Sequence, residues 1–348
     1  MNLNNTKMML NQMLEEKVFD TYALLVHYGN EETMLFSENA DEYTYFDLAS
    51  MGKVLITSTL ILQAISRGKL NFEDTLDMFW DVEDDEKKKI TVKQLLTHTS
   101  GIQRKPITEE AAANGHDAIA ELMISYPLSF APGTEARYSC NGYILLGFML
   151  EKIYGASLED VYRENIAVPL GLERTAFEIA LDEPNAALCH RWKEMPKQRF
   201  DSDRVLIMGT PAGSGGQHSC LNDIHKTVRA FYEKNELLYP KEYFDMAERN
   251  YTPDFSESRG LGYLFVDENY PQTGKLFPTG SFGHTGSTGQ SFFINREKQM
   301  YVIFLTNSSR YSFIKSDFMH ANYHETMKMR EDIHNAILRD ICNMPEVP

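Results

Sequence analysis

Three pairs in this 348-residue chain have the spacing Ser-x-x-Lys: Ser50/Lys53, Ser66/Lys69 and Ser312/Lys315. On a helix, residues three apart face the same side, so this spacing can bring a lysine amine beside a serine hydroxyl. Such a pair supplies a nucleophile and its base, and the chemistry is acyl transfer through a covalent serine ester. Spacing alone cannot choose among the three; context must. Ser66/Lys69 straddles Gly68 at a helix end, where the side chains need not converge, and Ser312/Lys315 falls in a polar segment. Ser50 opens residues 50–65, where Val54, Leu55, Ile56, Leu60, Ile61 and Ile65 leave almost no polar face. That pattern predicts a buried helix closed by Gly68. Ser50 Oγ would sit at the positive helix end, and apolar neighbours would disfavour the ammonium form of Lys53. Serving as a base near neutrality requires a drop of ~3 units from the free lysine pKa, or about 4 kcal/mol of differential environment. Taken by itself, Ser50 would be an ordinary capping serine.

The elements around this helix follow from periodicity. Met9, Leu10, Met13 and Leu14 recur at helical spacing and predict an amphipathic N-terminal helix. Residues 22–27 and 33–36 are β-prone and flank Gly29-Asn30, a hairpin signal. Residues from about 70 to 245 read as helical segments broken by Pro and Gly, and strands resume at 262–266, 289–295 and 300–306. A helix over about 322–342 ends the chain. The predicted fold class is α+β: an antiparallel β-sheet formed from both chain ends, flanked by helices, with an inserted all-α lobe. We expect a single catalytic domain over 1–348, with its sheet region at about 18–49 and 250–348 and its mainly helical lobe at about 70–245.

Composition narrows the partners. Asp and Glu total 50 against 34 Lys and Arg, a formal charge of -16 that repels phosphate backbones and anionic lipid headgroups. The expected partner is a small-molecule substrate, with no nucleic acid and no membrane; the oligomeric state stays open. The N-terminus shows no secretory-signal pattern, and no apolar run approaches the ~20 residues of a membrane span. Cys140, Cys189, Cys220 and Cys342 are scattered without C-x-x-C spacing, which argues against a zinc site or a disulfide framework. The expectation is a reduced, cytoplasmic setting, with no cofactor and no metal.

Further segments recur in a fixed order: Leu48-Ala49-Ser50-Met51-Gly52-Lys53, Leu95-Leu96-Thr97-His98-Thr99-Ser100-Gly101, Tyr138-Ser139-Cys140-Asn141-Gly142, Pro169-Leu170-Gly171-Leu172 and Gly283-His284-Thr285-Gly286-Ser287-Thr288-Gly289. Together they resemble the serine β-lactamase and penicillin-binding-protein superfamily, in its class C branch with related esterases and D-alanyl-D-alanine carboxypeptidases. The resemblance implies that Ser50 forms an acyl-enzyme and that Lys53 accepts or shuttles its proton. It implies that Tyr138, in the family's Y-x-N motif, is general base and then acid on the leaving group. His284, Thr285, Gly286 and Ser287 match the K-T-G or H-T-G motif, expected on an edge strand beside the nucleophile. The backbone N–H groups of Ser50 and Ser287 would form the oxyanion hole, where one donor is worth ~3 kcal/mol in the transition state. The same resemblance makes His98 a structural residue beneath the site and Asp223 a helix N-cap.

Two positions depart from the pattern. Cys140 stands where the second motif holds asparagine, and a thiol is a weak donor and acceptor; Asn141 could replace it only if the turn shifts by one residue. Cys140 as a nucleophile is the weaker reading, because a small half-apolar thiol usually packs. His284 replaces a lysine, turning a permanent cation for a substrate carboxylate into a titratable one. The expected activity is hydrolysis of a small ester, amide or β-lactam by a serine hydrolase. The alternative is a non-catalytic or very slow penicillin-binding or sensor homologue. Residues 188–203, with Trp192, are expected to line or cover the cleft.

Overall fold

The structure is a computed structural model, and it describes residues 1–103, 105–180, 182–188, 208–267, 273–308 and 319–342, the last without side-chain detail before residue 326. Ser312, Lys315 and all of the 188–203 segment except Leu188 lie outside the described residues.

Nine strands are described: β1 (Tyr22–Tyr28), β2 (Glu31–Phe36), β3 (Tyr45–Asp47), β4 (Ala186–Ala187), β5 (His218–Ser219), β6 (Leu264–Phe265), β7 (Phe282–Thr285), β8 (Ser291–Asn295) and β9 (Met300–Thr306). Six form one antiparallel sheet in the order β2-β1-β9-β8-β7-β6, so the first and last thirds of the chain share it. Val26 lies opposite Val302 and Leu24 opposite Phe304, placing the chain ends in register.

Successive side chains of a strand point to opposite faces, and both faces of this sheet are covered. Ala23, Leu25, Phe292, Ile294 and Ile303 pack on the helical body. Leu24, Val26, Phe293, Val302 and Phe304 pack instead under the N-terminal helix Asn4–Glu15 and the C-terminal helix Met319–Ile341, against Leu10, Met13, Ile333 and Ile337. Each such fully buried side chain contributes roughly 1.5–3 kcal/mol. The N-terminal helix has no cap of its own, since Leu3 precedes it. Asp340 of the C-terminal helix caps it, accepting from Thr6 N at 2.8 Å, Thr6 Oγ1 at 2.7 Å and Asn5 N at 3.1 Å.

The stretch expected to be one helix from Ser50 is compound. Ala49–Met51 is a 3₁₀ turn, Lys53–Ser58 is a π-helical segment, and Thr59–Ser66 is α-helical. By length and composition Ala49–Ser66 could cross a membrane, but 78% of it is buried inside the protein as its central helix. The expected all-α lobe also contains β: Tyr45–Asp47 pairs with Ala186–Ala187 and His218–Ser219 in a small second sheet. Strands of two or three residues carry no alternation to read. They matter because they end one residue before Leu48, whose N–H donates to Gln217 O at 2.8 Å and anchors the entry to Ser50.

Candidate active site

The segment entering Ser50 is held under backbone strain. Ala49 adopts φ +44°, a region where non-glycine residues are uncommon. Asp47 Oδ1 accepts from Ala49 N at 2.7 Å and fixes that conformation. Strain of this kind costs on the order of 1 kcal/mol and concentrates at functional sites. Across from it, Gly215 has φ +145°, and a Cβ there would lie 2.7 Å from Ala49 O, so only glycine fits against the turn.

Three expected residues converge. Ser50 Oγ lies 2.6 Å from Tyr138 Oη and 3.1 Å from Lys53 Nζ. Lys53 is fully buried and also donates to Ser214 O at 2.6 Å, while its Nζ stands 5.1 Å from the centre of the Tyr138 ring. The π-helical start accounts for its aim, since a widened turn re-orients side chains relative to an α-helix. The other pair described does not converge: Ser66 Oγ donates to Gln63 O at 2.9 Å, and Lys69 Nζ sits over the Tyr154 ring.

Tyr138 lies two residues before the helix Cys140–Tyr154, with Ser139 as the N-cap between them. His98 braces it from behind: its Nδ1 accepts from Ser139 N at 3.2 Å, its carbonyl accepts from Arg137 N at 3.0 Å, and its ring packs 4.8 Å from that of Tyr138. An accepting Nδ1 belongs to a neutral imidazole, and burial first, then the charges of Arg259 and Lys53, hold the His98 pKa well below the usual histidine range. Burial, assisted by Cys140, pushes the Tyr138 phenol well above its ordinary pKa, while its bond to Ser50 and the nearby Arg259 act the other way. At rest Tyr138 is therefore a phenol.

β7 carries His284 and Thr285 into Gly286-Ser287. It is not an edge strand, because β6 lies outside it, but β6 pairs only with Phe282 and Gly283. The backbone of His284 and Thr285 therefore has no partner strand on the β6 side among the described residues, which preserves the open edge that the sequence implied. Gly286 sits against the turn that carries Ser50: a Cβ there would lie 3.2 Å from Leu48 O and 3.3 Å from Ala49 Cβ. Its N–H donates to Gln290 O at 2.8 Å, Gln290 Nε2 donates to Asp47 O, and Arg330 Nη1 donates to Gly286 O at 3.1 Å. Ser287 follows, exposed, on this braced turn.

Two expectations need correction. His284 does not replace the lysine with a cation that titrates near neutrality. Burial first, then Arg259 and Lys53, hold its pKa well below the usual range, and its Nδ1 donates to Thr285 O at 2.7 Å. Asp223 is not an N-cap. Cys220 takes that position, and Asp223, inside the helix Leu221–Glu233, accepts from Arg174 N at 2.7 Å, Thr175 Oγ1 at 3.0 Å and Glu173 N at 3.2 Å.

The second motif is altered in space as in sequence. The Cys140 thiol is half-buried, 3.7 Å from Tyr138 Oη. Asn141 is fully buried with its amide donating to Lys105 O at 3.2 Å, so it does not stand in for the missing asparagine. Two groups at the site carried no sequence signal: Ser214, whose contribution is a backbone carbonyl, and Arg259, whose guanidinium carbon lies 5.5 Å from the Tyr138 ring centre.

The beta-lactamase family profile matches residues 11–320. The chain belongs to the beta-lactamase family. It is a serine hydrolase by that membership, and its relatives include a putative D-alanyl-D-alanine carboxypeptidase of Escherichia coli K12, 27% identical over 300 residues covering 76% of this chain and 69% of that protein. Esterase EstB of Burkholderia gladioli is 26% identical over 310 residues, covering 77% of this chain and 78% of the esterase. Among solved structures, a beta-lactamase/D-alanine carboxypeptidase from Pseudomonas syringae superposes with a TM-score of 0.74 over 95% of this chain and 98% of its own, at 16% identity, a likeness of fold.

Proposed function

We propose that this beta-lactamase-family hydrolase cleaves a small ester or amide through an acyl-enzyme on Ser50, with Lys53 and Tyr138 moving the protons. The observation that carries this reading is the double contact of Ser50 Oγ, 2.6 Å from Tyr138 Oη and 3.1 Å from Lys53 Nζ. The Tyr138 proton passes to the Lys53 amine through this contact, and the resulting phenolate takes the proton of Ser50 as Oγ bonds the substrate carbonyl carbon. The carbonyl electron pair moves onto oxygen, facing the N–H groups of Ser50 and Ser287. When the bond to the leaving group breaks, Tyr138 returns the proton to it, and water repeats the sequence on the acyl-enzyme.

The relatives named for carboxypeptidase and esterase activity support both substrate classes, and the site favours the ester. Cys140 offers no amide to hold a peptide or β-lactam side chain, and a neutral His284 offers no charge to a substrate carboxylate. Intact-mass analysis after reaction with a fluorophosphonate probe, followed by peptide mapping, should place the adduct on Ser50. Ser50→Ala should abolish both labelling and p-nitrophenyl ester hydrolysis; an adduct elsewhere, or an active Ser50→Ala enzyme, overturns the assignment.

The altered second motif favours one further reading, a penicillin-binding homologue that acylates and then stalls. It predicts a penicillin adduct stable for hours by intact mass, whereas the hydrolase turns over an ester many times in that period.

A further inference from the structure

A charged side chain buried beside a reacting group is costly to desolvate unless it is paired. Arg259 is such a residue, 3% exposed, on the loop leading into β6. Its Nε donates to Glu257 at 2.9 Å and its Nη2 donates to the same carboxylate. Its backbone is equally fixed: Arg259 N donates to Thr252 Oγ1 at 2.7 Å and its carbonyl accepts from Tyr251 N at 2.8 Å. This anchoring holds the guanidinium 5.5 Å from the Tyr138 ring centre, and the Lys53 amine stands 5.1 Å from the same ring centre.

From the geometry we infer that Arg259 is a positioning residue for acylation: clamped by Glu257, it holds the Tyr138 ring toward Ser50 and supplies a fixed positive charge beside the phenolate that takes the serine proton. The inference rests on the proton-transfer role proposed above for Tyr138. Cation and ring attract through the ring quadrupole, and the attraction grows once the ring carries negative charge. Lys53 acquires its charge only on taking the Tyr138 proton, so it is not a fixed charge at the ring. Arg259 stays charged throughout.

The other groups facing Tyr138 are accounted for. Ser50 and Lys53 come from the central helix, Cys140 from its own segment, His98 from behind and His284 from β7 at 6.2 Å between ring centres. Burial first, and then Arg259, lowers the pKa of both histidines, while at Tyr138 Arg259 opposes the burial that raises it. Tyr138 thereby keeps neutral imidazoles as neighbours, and neither competes for the proton.

The test is the pH dependence of the acylation rate, read as the p-nitrophenolate burst by stopped flow. With a phenolate as acceptor, the rate rises with pH, and a nearby positive charge moves that rise to lower pH. Arg259→Met should move it up by about one unit and slow acylation about tenfold at pH 7, whereas Arg259→Lys should keep it near the parent position. Glu257→Gln leaves the guanidinium unscreened and should move the rise down. Folded Arg259→Met enzyme with an unmoved profile overturns the inference; should that variant fail to fold, an unmoved Glu257→Gln profile does so. If the parent enzyme carries its adduct away from Ser50, it is the proposed function that fails instead.

Discussion

The Lys53 amine donates to the Ser214 carbonyl oxygen at 2.6 Å while it reaches Ser50 Oγ at 3.1 Å. One donor is thus committed to the backbone of the glycine stretch 213–216, and the serine contact has a fixed direction. Lys53→Met should lower kcat/KM by about 10²–10⁴-fold, the usual worth of a positioned proton-transfer group. The substitution removes the cost of burying an amine but leaves the Ser214 carbonyl without that donor, so thermal stability should change by no more than about 1–3 kcal/mol. Lys53→Arg should not restore activity, because a guanidinium stays protonated. Ester kinetics and thermal melts on the two variants check this; an active Lys53→Met enzyme would remove Lys53 from the mechanism.

Tyr138 is within hydrogen-bond reach of Ser50 and is neutral at rest, as the proposed role in both halves of the proton path requires. Tyr138→Phe keeps the ring between Lys53, Arg259 and His98 and removes only the hydroxyl. We expect a loss of about 10²–10³-fold on substrates whose leaving group needs a proton, and a clearly smaller loss on p-nitrophenyl esters. Equal losses on an alkyl ester and a p-nitrophenyl ester would show that Tyr138 does not protonate the leaving group.

Cys140→Asn restores the side-chain amide of the second motif beside Tyr138. It should increase the rate of acylation by a penicillin about tenfold, one good hydrogen bond in the transition state, with little change on a simple acetate ester. Measuring both rates on both proteins decides it; improvement on the ester alone would mean that Cys140 acts through packing rather than through a missing hydrogen bond.

Long-range pattern made the frame readable, and tertiary proximity hid the rest. The run from Val54 to Ile65 is apolar on nearly every side, so its burial could be read from the chain, and the β1–β2 hairpin and the β8–β9 pair announced themselves by β-prone runs around turn residues. The π-helical segment Lys53–Ser58 could not be read from the apolar pattern; it lies against residues 213–216, where Thr57 Oγ1 donates to Gly213 O at 2.7 Å. Ser50, Lys53 and Tyr138 were recognisable because their types and order carry chemistry. Arg259 was not, because nothing in Ser258-Arg259-Gly260 differs from a surface arginine until the fold brings it beside Tyr138. Asp223 illustrates the opposite error: a helix-start aspartate whose carboxylate turns away to bind the backbone of Glu173 and Arg174 and the Thr175 hydroxyl.

Acid should unfold this protein through its buried histidines. Burial holds His218 and His334 at about 3, and His98 and His284 well below the usual range. The unfolded chain has ordinary histidines near 6.5, so above that pH neither state is charged and these groups contribute nothing to the pH dependence. Below it the unfolded chain binds protons that the folded chain does not, and stability falls by about 1.4 kcal/mol per histidine per pH unit until the folded values are reached. His334 is the clean test. Its ring packs 5.1 Å from Phe277 and 6.0 Å from Phe293, and its Nε2 lies 3.3 Å from Ser291 Oγ. Urea unfolding of His334→Phe at pH 7.5 and 5.5 should show a loss smaller than the parent's by about 1 kcal/mol; an identical loss would mean that His334 does not take up its proton on unfolding.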